Sequence, residues 1–230
     1  MTHSTTYVAF PASDKLHTLT DGFIKRMRTS SARAEPDTVG QIMSTFMDES
    51  LYAFMIKPSE LSGLSPGLMR VVNFTTETIS KTSQVVIRGT VKKLNVEQTK
   101  EIAEYMDTVR YCFDGTWNIC FPISPELATT AQDGFHMAMD GKHQQALPMM
   151  MSYFHSLTDI AMKWYFEEPI RLLKFGPILR KVADVGVATT RKATHAVVDN
   201  VIPKLSPDQA HISSEYALSL LKHGPRIDNF

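Results

Sequence analysis

Asp37 to Lys57 reads DTVGQIMSTFMDESLYAFMIK, and its apolar residues fall at Val39, Ile42, Met43, Phe46, Met47, Leu51, Phe54 and Met55. That is the i, i+3, i+4, i+7 spacing of one helix face. Pro36 precedes the run and Pro58 follows it, as helix boundaries require. The same period returns along most of the chain. Helices are expected over 66–93, 96–113, 125–140, 143–167, 177–202 and 207–223. Asn95 and Gln98 have the spacing of a capping box at the start of the 96–113 helix. Asp140-Gly141 breaks 125–167 into a hairpin, and Gly224-Pro225 closes the last helix.

Ser65-Pro66, Ser124-Pro125 and Ser206-Pro207 each open a helical pattern. Serine caps the free amides of a first turn, and proline loses nothing there because its missing N–H had no partner. The segments behind them do not otherwise match, so they are not read as an internal repeat. Thr116 to Ile123, with Trp117, Ile119 and Phe121, is the one good strand candidate. The fold class expected is all-α: a single-domain bundle of about six to seven helices over 35–230, with at most one short strand or hairpin near 116–123. Residues 1–34 are expected to form a loosely ordered N-terminal segment.

The bounds agree with this. At 230 residues, 43% apolar and 21% charged, the chain can bury a core without staples. Cys112 and Cys120 are too few for a disulfide framework or a cysteine zinc site and suggest a reducing compartment. No run of 18 apolar residues occurs, and Met1 to Lys15 lacks an apolar signal-peptide core. The expected location is the cytoplasm or the periphery of a membrane.

Charge is balanced overall, at 24 basic and 24 acidic residues, which gives no pull toward nucleic acid. It is segregated, however: residues 97–168 carry a net −7 and residues 171–204 a net +5. On a wheel of the 177–202 helix, Ile178, Leu179, Val182, Val185, Gly186, Thr189, Ala193, Ala196 and Val197 share one side. Small residues there allow another helix or a partner chain to approach closely. Residues 164–192 also place Trp164, Tyr165, Phe166, Leu172, Leu173 and Phe175 near Arg171, Lys174, Arg180, Lys181, Arg191 and Lys192. Aromatic anchors among cations suit an anionic lipid surface.

Most catalytic motifs fail on physical grounds. Gly63-Leu64-Ser65-Pro66-Gly67 matches a nucleophile elbow in spelling, but Pro66 has no N–H to line an oxyanion hole. Phosphate-loop, dinucleotide, zinc-protease and EF-hand patterns are missing from the sequence. Asp133, His136, His155 and Asp159 have spacings that could offer a metal-ligating cluster in a bundle interior. Methionine is plentiful, at 13 residues, and lines adaptable apolar pockets. A pocket between the 125–140 and 143–167 helices is expected at Phe135, Met139, Met150, Phe154 and Trp164, with room made by Gly134.

The function expected is therefore non-catalytic binding of a partner chain, a second copy, or an apolar or anionic-lipid ligand, with no cofactor and no nucleic acid. The alternative is a metal-dependent helical-bundle enzyme built on the Asp133, His136, His155 and Asp159 cluster.

Overall fold

A computed structural model describes residues 4–225 and is mostly helical. The helices are α1 (Asp14–Met27), α2 (Pro36–Leu51), α3 (Lys57–Leu61), α4 (Pro66–Val91), α5 (Val96–Thr108), α6 (Pro125–Met139), α7 (His143–Met162), α8 (Glu168–Leu172), α9 (Pro177–Val201) and α10 (Pro207–Ser219). The strands are β1 (Ser4–Pro11), β2 (Arg110–Phe113), β3 (Thr116–Ile123) and β4 (Leu221–Pro225). The serine starts form as expected: Ser65, Ser124 and Ser206 accept from the amides of Leu68, Leu127 and Gln209, each ahead of a proline in the first turn. Asn95 and Gln98 close their capping box.

Two segments repeat one design. α2 runs into a π-helical turn, Tyr52–Ile56, and then α3. α7 runs into a second π turn, Lys163–Glu167, and then α8. Each is followed by a four-residue loop and a long helix, α4 or α9. From the π turn to the start of the long helix every boundary recurs 111 residues later, and so does the left-handed loop residue, Gly63 at φ 59° and Lys174 at φ 48°. Counting each π-joined pair as one helix gives eight among the described residues, against the six to seven expected.

The π turns have a chemical cause. Pro58 and Pro169 bring no amide to the ladder, and the Lys57 and Glu168 amides donate five residues back, to Tyr52 and Lys163. The Ala53 and Trp164 carbonyls are left without a helical donor. The Tyr216 hydroxyl donates to Ala53 O at 2.9 Å, and the Tyr105 hydroxyl donates to Trp164 O. Two unrelated tyrosines thus satisfy equivalent carbonyls in the two units.

The sheet corrects the all-α expectation. It has four antiparallel strands in the order β2-β3-β1-β4. Only β3 was anticipated. The expected 96–113 helix ends at Thr108 and its tail becomes β2; the expected 207–223 helix ends at Ser219 and its tail, Gly224-Pro225 included, becomes β4. The N-terminal segment, where it is described, contains a strand and a helix. β1 lies between β3 and β4, and α1 buries Leu16, Phe23, Ile24 and Met27. Val8, Phe10, Ile119, Phe121 and Ile123 share the sheet face that meets the main core of the helices. Tyr7, Ala9, Phe113 and Cys120 form a smaller cluster on the other face.

Candidate functional site

α4 and α9 pack against each other in opposite directions. A Cβ built on Gly186 would meet Val86 and Thr82, while Val72 and Ile79 cluster with Val197 and Val201 nearer the other end. The small residues of α9 therefore serve a contact within the chain. On α9, Gly186, Ala193 and Val197 turn inward. Much of the rest of the expected apolar side faces water: Ile178 is 82% exposed, Val185 60% and Val182 41%, while Leu179 is half-buried. α4 matches it with Phe74 at 71% and Val85 at 65%, and with Val71 at its edge. Six of the eleven exposed large apolar side chains among the described residues lie on these two helices.

Their spacing puts them on one outer face. Val71, Phe74, Thr78, Lys81, Val85 and Arg88 recur every three or four residues on α4, and Ile178, Val182, Val185, Thr189, Lys192 and Ala196 do so on α9. The rim is basic. α4, Lys92, Lys93 and α9 together carry nine Lys or Arg and three Asp or Glu, a net +6 in a chain whose total is zero. Among the described residues, Arg70, Arg88, Lys92, Lys93, Lys181 and Lys192 are exposed and have no ion-pair partner.

The cations singled out from the sequence divide. Lys181 and Lys192 stand on this face. Arg171 pairs with Glu168, Lys174 with Glu101, Arg180 with Asp184, and Arg191 with Asp159 and Glu167. The neighbouring aromatics do not reach out. Tyr165 and Leu173 are buried, and Trp164, Phe166 and Phe175 are half-buried against the core. The net −7 segment covers the inner flank of α9 through Asp159 and Glu167, and leaves the outer face open.

The Asp/His residues also separate. Asp133 and His136 are exposed on α6, whereas His155 and Asp159 face α9. There His155 Nε2 contacts Asp199 at 2.9 Å, His195 Nε2 contacts Asp159 at 3.2 Å, and the two Nδ1 atoms face each other. With each Nε2–H donating to its carboxylate, one proton must sit between the Nδ1 atoms for that contact to be a hydrogen bond. The seam thus pairs two imidazoles, two aspartates and Arg191. Among the described residues no group of three or more His, Cys, Asp or Glu is placed to hold a metal ion.

The expected pocket between α6 and α7 is filled. Gly134 brings α6 close enough that a Cβ would lie 3.0 Å from Met149 Cβ, and Phe135 and Met150 are each 1% exposed. Met139 and Trp164 are half-buried and stand apart from the cavity that Phe154 lines. Phe154 does line one, on the other side of α7. That cavity, of about 180 Å³, is bounded by the sheet at Val8 and Phe121, by Met47 and Met55 of the first unit, and by Phe154, Tyr165 and Thr190 of the second.

No family model, curated protein or solved structure matches the chain. His195, Phe74 and Thr190 escaped the sequence reading; the i, i+4, i+8 series Arg191, His195, Asp199 was the visible signal for the first.

Proposed function

We propose that the protein is a non-catalytic peripheral binding protein that lays the outer face of α4 and α9 on an anionic lipid surface. One observation carries this reading: an exposed apolar face spanning two long helices inside a basic rim. Water-exposed Phe, Ile and Val side chains gain about 1.5–3 kcal/mol each on full burial. The lysines and arginines around them can keep their charges at the headgroups while their stems lie along the apolar surface. No described helix is long and apolar enough to cross a membrane, so the contact in this reading is with the surface.

Co-sedimentation with vesicles of phosphatidylglycerol and phosphatidylcholine tests it. The wild type is expected to bind at low salt and to weaken as salt rises. Phe74→Ser/Ile178→Ser, which changes only exposed side chains, is expected to lose at least tenfold in affinity. Absence of wild-type binding at low salt, or equal binding by the double variant, overturns the reading. A shift in the mass of the free protein by the same variant, without a change in vesicle binding, also counts against it and assigns the face to a second copy.

A further inference from the structure

The cavity is separate from the docking face: Thr190 lines it from the inner side of α9, while Val185 and Thr189 are exposed on the outer side. Its walls are apolar side chains with a few hydroxyls, and among the described residues no Asp, Glu, Lys, Arg or His lines it. Most of the threonine and serine hydroxyls in the wall are spent locally. Ser50, Ser59, Ser62, Thr158 and Thr194 each donate to a carbonyl three or four residues back on their own helix. Four wall hydroxyls form no hydrogen bond among the described residues, those of Tyr153, Thr190, Tyr165 and Ser213, and the Thr190 and Tyr165 oxygens are the two that are fully buried. Thr190 is 2% exposed and Tyr165 9% exposed, and neither Thr190 Oγ1 nor Tyr165 Oη has a hydrogen-bond partner. Burial holds the Tyr165 phenol well above its usual titration range, so it keeps its proton and remains a donor. An unmade hydrogen bond at a buried hydroxyl is costly, and this chain leaves two on residues of one cavity wall.

We infer that the cavity is a binding site for a small, neutral, mainly apolar molecule carrying a carbonyl oxygen, which accepts from Thr190. Size sets the first limit. An engineered apolar cavity of roughly 150 Å³ holds benzene, so about 180 Å³ suits a ketone or ester of about eight heavy atoms. Charge sets the second. A carboxylate would be buried without a cation, which costs more than a hydroxyl donor returns. Chemistry sets the third. An alkane of the same length fills the space but leaves the Thr190 hydroxyl unpaired.

The experiment uses the full chain and three probes, 2-heptanone, heptane and heptanoate, followed by amide shifts in NMR titration. The ketone is expected to shift Thr190, Tyr165 and the neighbouring amides. It should bind about two- to tenfold more tightly than heptane, the range of one net hydrogen bond. Heptanoate is expected not to bind. Thr190→Val keeps the shape and removes the hydroxyl, and should narrow the gap between ketone and heptane while leaving heptane affinity unchanged. Ala161→Leu places extra carbon on the wall and should weaken ketone and heptane together. Equal binding of ketone and heptane by the wild type overturns the inference. So does failure of both to bind, which would leave the hydroxyls to trapped water. Vesicle binding by Thr190→Val should match the wild type, so this site and the docking face succeed or fail separately.

Discussion

Gly186→Ala should destabilise the protein relative to Gly89→Ala, although both replace a glycine within a long helix. A methyl at residue 186 would lie 2.7 Å from Val86 Cγ2, well inside the roughly 3.5–4.0 Å optimum for two carbons. Val86 is β-branched and cannot swing its methyl aside without leaving its rotamer or moving α4. Overpacking of this kind costs about 1–3 kcal/mol, and the helix gains about 1 kcal/mol from losing a glycine. At Gly89 nothing lies within 4 Å of the added methyl, so only the gain applies. The two variants should therefore differ by about 1–3 kcal/mol. For a chain of this size that is roughly 2–12 °C in Tm. Thermal unfolding followed by circular dichroism measures it. Adding Val86→Ala to Gly186→Ala removes the clashing methyl and should recover part of the loss, a coupling of at least about 0.5 kcal/mol. If Gly186→Ala stabilises as much as Gly89→Ala, the close approach of α4 and α9 is wrong.

The π turns and the acid limb give two more tests. Tyr216→Phe and Tyr105→Phe each strand a carbonyl that no helical amide reaches, Ala53 O and Trp164 O; each should cost about 1–3 kcal/mol in urea unfolding, and a neutral result for both would refute the tyrosine capping. Hydrogen bonds from Arg26 hold the Glu35 carboxyl below its usual range, and hydrogen bonds from Arg28 do the same for Glu104. A depressed carboxyl contributes stability above its unfolded pKa and loses it as pH falls through the folded value. Stability should therefore drop on acidification below about pH 4.5, and Arg26→Met with Arg28→Met should flatten that drop; an unchanged acid slope in the double variant would dismiss both pairs as contributors.

Helical content was legible because periodicity and capping act locally. Ser65, Ser124 and Ser206 sit where the physics of a first turn wants them, and their helices start there. The sheet was less legible because three of its strands lie where local signals mislead. β2, Arg110–Phe113, has four residues and continues a helical pattern without a break. β4 spans Leu221–Pro225, and its Gly224-Pro225 end mimics a helix stop. β1 carried a signal, Tyr7, Val8 and Phe10 ending at Pro11, that needed its distant partners Phe121 and Lys222 to become a sheet. The repeated unit left only a faint trace, Pro58 with Pro66 and Pro169 with Pro177, because packing preserves shape with few shared residues. The docking face was half legible. The wheel grouped Ile178, Val182 and Val185 with Gly186, yet an apolar arc that wide can meet a neighbour with one flank and water with the other. Phe74 stood in a Thr-rich stretch that gave no reason to single it out. The cavity depends on chain segments more than a hundred residues apart, which no local pattern encodes.

Depth-dependent quenching tests the central claim most directly. A tryptophan introduced at exposed residue 178, Ile178→Trp, is compared with one at exposed residue 212 on α10, Ile212→Trp, each in a background with Trp117 and Trp164 replaced by Phe. With anionic vesicles containing brominated acyl chains, the tryptophan at 178 should blue-shift and be quenched, and the one at 212 should report water throughout. Equal quenching at the two positions, or none at 178 while the protein is bound, would contradict docking through the outer face of α4 and α9.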